Sequence, residues 1–201
     1  MRTSNHYART RFLTSATGLH DLPPDNALEV AFAGRSNSGK SSALNVITDR
    51  KTLARTSKTP GRTRLVNVFE VFPGRHLVDL PGYGYAKVAA KVQRHWGDML
   101  DAVLRGRGSL QGMMLLMDVR HPLTDLDQQM LVWCRSSHLP VHILLTKSDK
   151  LSRGKASGVL QSVRAWAQRE DHAATAQLFS APARLGVDEA RQQLDRWLQL
   201  T

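Results

Sequence analysis

The sequence predicts an α/β protein: a mostly parallel six-stranded sheet with one antiparallel strand, in three layers, with helices on both faces. Three observations predict it. From residue 28 onward, short apolar runs alternate with helix-period segments, the order that yields a parallel sheet covered by helices. The runs at 113–117 and 141–145 are continuously apolar, as strands covered on both faces are. The runs at 65–72 and 76–80 are joined by the tight turn Pro73-Gly74-Arg75, which makes a hairpin and supplies the antiparallel strand.

Taken in order, residues 1–27 are polar, contain Pro23-Pro24, and read as an arm leading into a domain formed by 28–201. Leu28 to Ala33 is the first strand, and a helix pattern follows over 40–48. The hairpin strands come next, then a helix pattern over 88–105 and the strand at 113–117. Pro122-Leu123-Thr124-Asp125 starts a helix over 124–136, and the strand at 141–145 precedes a helix over 152–169. Gln177-Leu178-Phe179 closes the sheet, and Gly186-Val187-Asp188-Glu189 starts a final helix to 199. Trp96, Trp133, Trp166 and Trp197 each fall in a helix segment and are expected to pack against the sheet or a neighbouring helix.

Composition narrows the function. Lys and Arg number 28 against 17 Asp and Glu, a net charge of +11, which favours an anionic partner larger than one nucleotide, nucleic acid first. An apolar content of 41% argues against wholesale disorder. The single cysteine, Cys134, cannot form an internal disulfide, which suits a reducing cytosol. It reads as a buried small hydrophobe rather than a nucleophile. The first 20 residues lack the apolar core of a secretory signal, no run approaches the roughly 20 apolar residues of a membrane span, and the C-terminus has no prenylation cysteine. A cytoplasmic protein without stable membrane attachment is expected.

The chemistry lies in five segments. Gly34-Arg35-Ser36-Asn37-Ser38-Gly39-Lys40-Ser41 fits G-x-x-x-x-G-K-[ST] and follows a strand. In this context the glycines let successive N–H groups point at phosphate oxygens, and the following helix adds the positive end of its dipole. Lys40 can reach the β- and γ-phosphates, and the Ser41 hydroxyl can ligate Mg²⁺. Asp79-Leu80-Pro81-Gly82 ends the second hairpin strand. Its carboxylate can hold Mg²⁺ through water, and Gly82 can bring its N–H to the γ-phosphate. Thr146-Lys147-Ser148-Asp149 follows the strand at 141–145. The acceptor-only carboxylate of Asp149 matches the N1–H and N2–H₂ donors of guanine, and adenine would leave that charge unpaired. The stem of Lys147 can cover the purine face. Backbone N–H groups of Phe179-Ser180-Ala181 are placed to meet guanine O6. Thr59-Pro60-Gly61-Arg62-Thr63-Arg64 ends a loop from Arg50 with six basic residues and no acid. A threonine there can complete Mg²⁺ coordination, and on chemistry alone Thr56, Thr59 and Thr63 are equal. The residues so far fit a guanine-nucleotide switch, or alternatively a P-loop phosphotransferase acting on a small-molecule acceptor.

The ordered set resembles the EngB (YihA/YsxC) family within the TrmE-Era-EngA-YihA-Septin-like GTPase superfamily. The resemblance is carried by residues 34–42, by Lys58-Thr59-Pro60-Gly61-Arg62-Thr63, by Asp79-Leu80-Pro81-Gly82-Tyr83-Gly84-Tyr85-Ala86 and by residues 146–149. It implies a three-layer P-loop GTPase (G domain) that binds GTP or GDP with Mg²⁺ and hydrolyses GTP through Lys40 and Gly82. Ser41 and Thr63 would ligate the metal. Gly61, Arg62, Thr63, Arg64 and Leu65, with Asp79, Leu80, Pro81 and Gly82, would form the nucleotide-sensing loops. Residues 146–149 and 179–181 would hold guanine. Asn37 matches an asparagine that helps coordinate K⁺ in some relatives. The resemblance also implies action on a large ribosomal subunit precursor and its rRNA, with a link to cell division and septum formation; a monomer is expected. Two departures stand out: Thr146 where many GTPases carry asparagine, and Pro182 where some carry lysine. Tyr83 occupies the place where Ras-like enzymes use a glutamine to orient water, which predicts slow intrinsic turnover.

Overall fold

The computed structural model of the chain describes residues 6–54, 65–84, 103, 106–170 and 173–200. Its strands are β1 (Arg11–Ala16), β2 (Leu28–Gly34), β3 (Val66–Phe72), β4 (Arg75–Asp79), β5 (Leu110–Asp118), β6 (Val141–Thr146) and β7 (Ala174–Leu178). They form one sheet in the order β1-β3-β4-β2-β5-β6-β7. β3 is antiparallel to both β1 and β4, and every other pairing is parallel. The sheet is therefore mostly parallel with one antiparallel strand, as the sequence predicts.

The expected count of six strands is corrected to seven. The extra strand, β1, comes from the polar stretch ahead of residue 28 and lacks an apolar run because it is a largely exposed edge. Its hold is cross-strand. Arg11 pairs with Glu70, Ser15 Oγ donates to Asn67 Oδ1 at 2.7 Å, and Phe12 packs edge-on to Phe69 with centroids 6.1 Å apart. Just before it, Tyr7 is buried and donates to Asp195 Oδ1 at 2.6 Å.

Among the described residues the helices are α1 (Lys40–Ile47), α2 (Asp125–Ser136), α3 (Arg153–Arg169) and α4 (Val187–Leu198). Of the helix expected over 88–105 only Val103 is described, helical and buried; the rest, with Trp96, lies outside the described residues. α1 and α4 cover one face of the sheet, where Phe32, Leu44, Ile47, Met114, Leu116 and Leu194 meet. α2 and α3 cover the other, around Met113, Leu115, Met117, Leu131 and Val163. The odd and even residues of β5 thus feed opposite cores, which explains why its whole run is apolar. α4 buries Val187, Ala190, Leu194 and Leu198, an i, i+3, i+7, i+11 stripe. Trp133 and Trp166 pack on the α2–α3 side and Trp197 on the other. Cys134 is fully buried against Met113, and burial pushes its thiol up to about 12, so it serves as packing.

The order of strands turns back at β2, whose neighbours β4 and β5 follow it in the chain on opposite sides. Ligands of open α/β sheets bind beyond the carboxyl ends of the strands at such a point. The residues that leave the carboxyl ends here are Gly34 from β2, Asp79 from β4, Asp118 from β5, Thr146 from β6 and Leu178 from β7.

Candidate functional site

The phosphate-binding motif spans the turn from β2 into α1. Gly34 is required by packing: a Cβ there would stand 2.7 Å from the Leu116 carbonyl oxygen and 2.5 Å from Ser38 Oγ. The loop curls through two left-handed residues, Asn37 (φ 63°) and Gly39 (φ 92°). Asparagine tolerates this conformation and glycine adopts it without cost. Two of the loop's N–H groups are already used: Ser36 donates to Tyr83 O at 2.8 Å and Ser38 to Arg35 O at 2.9 Å. The N–H groups of Asn37, Gly39, Lys40 and Ser41 have no backbone acceptor among the described residues. They are the donors that the loop and the first turn of α1 can turn toward an anion.

Lys40 Nζ is ion-paired with Asp79 Oδ1, and both side chains are about nine-tenths buried. The pair joins the end of β4 to the phosphate loop. After it, Leu80 is buried and its N–H donates to Phe32 O at 3.0 Å, Pro81 is buried, and Gly82 lies beside Ser36. Ser41 sits half-buried in the first turn of α1. No group of three His, Cys, Asp or Glu residues able to hold a metal occurs among the described residues. One hydroxyl and one carboxylate at the phosphate end are hard oxygen donors that suit Mg²⁺, which completes its shell with phosphates and water rather than with a protein cage.

Tyr83 turns away from the phosphate loop. It is buried, and its hydroxyl donates to Asp127 Oδ1 at 2.8 Å. Burial and the Asp127 carboxylate push the phenol well above its ordinary value. Asp127 Oδ2 in turn accepts from Thr124 N at 3.0 Å and Thr124 Oγ1 at 2.7 Å, closing the capping box that starts α2.

At the other end, Thr146, Lys147, Ser148 and Asp149 leave β6. Thr146 Oγ1 donates to Ser38 O at 2.6 Å, so the threonine that replaces asparagine still ties this motif to the phosphate loop. Lys147 is left-handed (φ 57°), and its Nζ reaches Asn37 O at 2.7 Å and Asp118 Oδ2 at 3.0 Å. Ser148 is buried, and its Oγ donates to Phe179 O at 3.0 Å. Asp149 is exposed, and its Oδ1 accepts from the fully buried Ser180 Oγ at 2.6 Å. That hydrogen bond, foremost among several, holds the Asp149 carboxyl below its ordinary value and keeps it ionised.

The last motif differs in detail from expectation. Phe179 N–H donates to Leu145 O at 2.9 Å and Ser180 N–H to Leu185 O at 3.0 Å. Both are spent within the fold, which leaves Ala181 N–H as the member of the three without a described backbone acceptor. Gly61, Arg62, Thr63 and Arg64 lie outside the described residues. Leu65, just ahead of β3, is exposed.

Sequence reasoning did not single out Asp118 or Arg120. Arg120 grips Asp118 with Nε at 2.9 Å and Nη2 at 2.6 Å, and with Lys147 it holds that carboxyl far below its usual range. The signal was present: an acid closing a buried parallel strand, Met117-Asp118, faces the ligand end.

The comparisons agree with this geometry. A family model described as "50S ribosome-binding GTPase" matches residues 29–147. The chain is 53% identical to the "Probable GTP-binding protein EngB" of Enterobacter sp. (strain 638), over 97% of this chain and 94% of that one. It belongs to the EngB family. An EngB protein of Shigella flexneri is 52% identical over the same share of this chain and 93% of its own length. Among solved structures, a probable GTP-binding protein engB superposes with a TM-score of 0.67 at 19% identity, covering 86% of this chain and all of that one. Era in complex with MgGDPNP and a segment of 16S ribosomal RNA superposes with a TM-score of 0.65 at 19% identity, covering 86% of this chain and 57% of that one. At those identities the two superpositions speak for the shared fold. Among the described residues no helix is long and apolar enough to cross a membrane.

Proposed function

We propose that this EngB-family chain is a GTP-binding protein and slow GTPase that acts as a nucleotide-dependent switch in assembly of the large ribosomal subunit, with a linked role in cell division. The single observation that carries the nucleotide reading is the pair of ties from 146–149 to the phosphate loop, Thr146 to Ser38 O at 2.6 Å and Lys147 to Asn37 O at 2.7 Å. They support reading Asp149 and the N–H groups of residues 37 and 39–41 as the two ends of one ligand, a base with a tail of phosphates. Guanine is favoured because Asp149 offers only acceptors. Ala181 N–H is the donor available for O6. Family membership weighs against the phosphotransferase alternative.

In this reading Lys40 would leave Asp79 for the β- and γ-phosphates, and Asp79 would be freed to hold Mg²⁺ through water. Ser41 and Thr63 would ligate the ion, which would supply charge neutralisation at the phosphates. Asn37 is assigned to a K⁺ position, tested by comparing turnover in K⁺ and Na⁺. Gly82 presents its N–H to the γ-phosphate, and Tyr83, anchored on Asp127, orients no water. Turnover of the isolated protein is therefore expected near the ~10⁻⁴ s⁻¹ order of unassisted Ras-type hydrolysis. Residues 28–201 form the G domain, with 1–27 as the arm whose strand extends its sheet. The 50S partner is supported by the name of the matching family and by the net charge of +11. The decisive experiment has two parts. Calorimetry should show GDP binding far tighter than ADP binding. GTP-loaded protein should then cosediment with large-subunit precursors more strongly than GDP-loaded protein. Equal affinity for ADP sinks the nucleotide reading, and equal cosedimentation sinks the switch.

A further inference from the structure

Asp49 follows the last turn of α1 in the left-handed region (φ 53°). Its two oxygens serve two different segments. Oδ1 accepts from Arg184 Nη2 at 2.7 Å, and Oδ2 accepts from Arg191 Nη2 at 2.9 Å. Arg191 also donates from Nε to Ile47 O at 2.9 Å, so it holds the carboxyl end of α1 as well. Arg184, itself left-handed (φ 51°), belongs to the tight loop 180–186 that aims Ser180 at Asp149. That loop is closed by reciprocal bonds between Ser180 and Leu185, each 3.0 Å. One turn back on α1, Asn45 reads both backbone groups of Ala54. Its Oδ1 accepts from Ala54 N at 2.8 Å and its Nδ2 donates to Ala54 O at 3.0 Å. Residues 49–54 are the root of the basic loop. They are thereby fastened to α1 on one side and to the base-binding loop on the other.

We propose that Asp49 is a positioning residue for the guanine site: through Arg184 it ties the loop 180–186 to the root of the basic loop. The proposal rests on the reading of the pocket as a guanine-nucleotide site. Coupling of this kind is reciprocal. A bound base steadies the root, and loosening the root speeds loss of the nucleotide. The tie is modest, because Arg184 is about half exposed and Asp49 about one-third exposed.

The test is dissociation of a fluorescent GDP analogue from the full chain, chased with excess GDP, for wild type, Asp49→Asn, Arg184→Asn and the double variant. Asparagine accepts a left-handed backbone at both positions, so the variants remove charge without straining the turn. Each single variant should release the analogue about two- to fivefold faster, the size of effect a partly exposed ion pair can carry. The double variant should be no faster than the quicker single, because both break the Asp49–Arg184 pair and Asp49→Asn alone also weakens the bond from Arg191. Amide exchange over residues 49–54 gives an independent readout. GDP should slow it in wild type and lose that effect in either variant. Unchanged release, or single effects that add in the double, overturns the proposal. A wild-type chain that binds no GDP analogue overturns the nucleotide reading and the proposal with it.

Discussion

Ser180→Ala removes one hydroxyl that the ligand need not touch, and its effect should appear almost entirely in guanine affinity. In the folded chain Ser180 is fully buried and its Oγ donates to Asp149 Oδ1 at 2.6 Å. Lys150 Nζ stands 3.1 Å from Asp149 Oδ2 on the exposed side. A hydrogen bond to an ionised group contributes about 1.5–3 kcal/mol. The Asp149 side chain is 22% exposed, so the lower end applies, and ~1.5 kcal/mol corresponds to about tenfold in Kd. The charge survives the substitution. Without the Ser180 hydroxyl the carboxyl moves up toward its ordinary value of 3.8, still ionised at neutral pH. Only its orientation is lost. Calorimetry at pH 7.5 should therefore show GDP binding about tenfold weaker and ADP binding unaltered, so the base preference falls by the same factor. A GDP affinity within twofold of wild type, or an equal loss for ADP, would refute the assignment of Ser180 as the group that aims Asp149.

Tyr83→Phe deletes the 2.8 Å hydrogen bond to buried Asp127. It should cost about 1 kcal/mol and lower the melting temperature by about 2–4 °C, with GTP turnover within twofold of wild type. A tenfold loss of turnover would mean that the phenol works at the phosphate after all. His142 is buried between Thr175 Oγ1 (2.6 Å) and Gln177 Oε1 (2.8 Å), and burial lowers its pKa below 6.5. As the pH falls through about 6.5 the unfolded chain takes up a proton first, so stability drops by up to about 1.4 kcal/mol per pH unit until the folded ring also protonates. In denaturant titrations from pH 7 to 5, His142→Asn should flatten that slope. An unchanged slope would place its origin elsewhere.

What the sequence made legible is what local residues dictate. Gly34 by its missing side chain, Gly39 by its left-handed backbone and Lys40 by its charge specify the phosphate loop, and the continuous apolar runs of β5 and β6 specify burial on both faces. β1 was not legible, since Arg-Phe-Leu-Thr-Ser-Ala carries no clean alternation and its pairing depends on Glu70, Phe69 and Asn67 far along the chain. Thr146 looks in sequence like the loss of an amide hydrogen bond, yet its hydroxyl reaches Ser38 O. The bonds that give each site residue its direction, Tyr83 to Asp127 and Ser180 to Asp149, span 44 and 31 positions. Such pairs follow from the order of strands in the sheet, which no local pattern encodes.

The distribution of charge separates two kinds of binding. Inside the pocket four cations share three acids: Lys40 pairs with Asp79, Lys147 and Arg120 with Asp118, and Lys150 with Asp149. These pairs are largely compensated before a nucleotide arrives. Four exposed cations stand on the pocket's rim. Arg50 and Lys51 at the root of the basic loop, and Arg153 and Lys155 in the first turn of α3, are exposed and join no ion pair among the described residues. The first pair follows α1 and the second follows the base motif, so a polyanion would engage elements anchored to opposite ends of the nucleotide. Rim contacts with phosphates release counterions, so association with rRNA should weaken steeply as salt rises. GDP, held by fixed N–H groups, the buried Lys40 and one carboxylate inside the pocket, should depend on salt far less. Measuring both between about 50 and 200 mM salt tests the division: parallel slopes would mean that polyanion and nucleotide compete for the same charges.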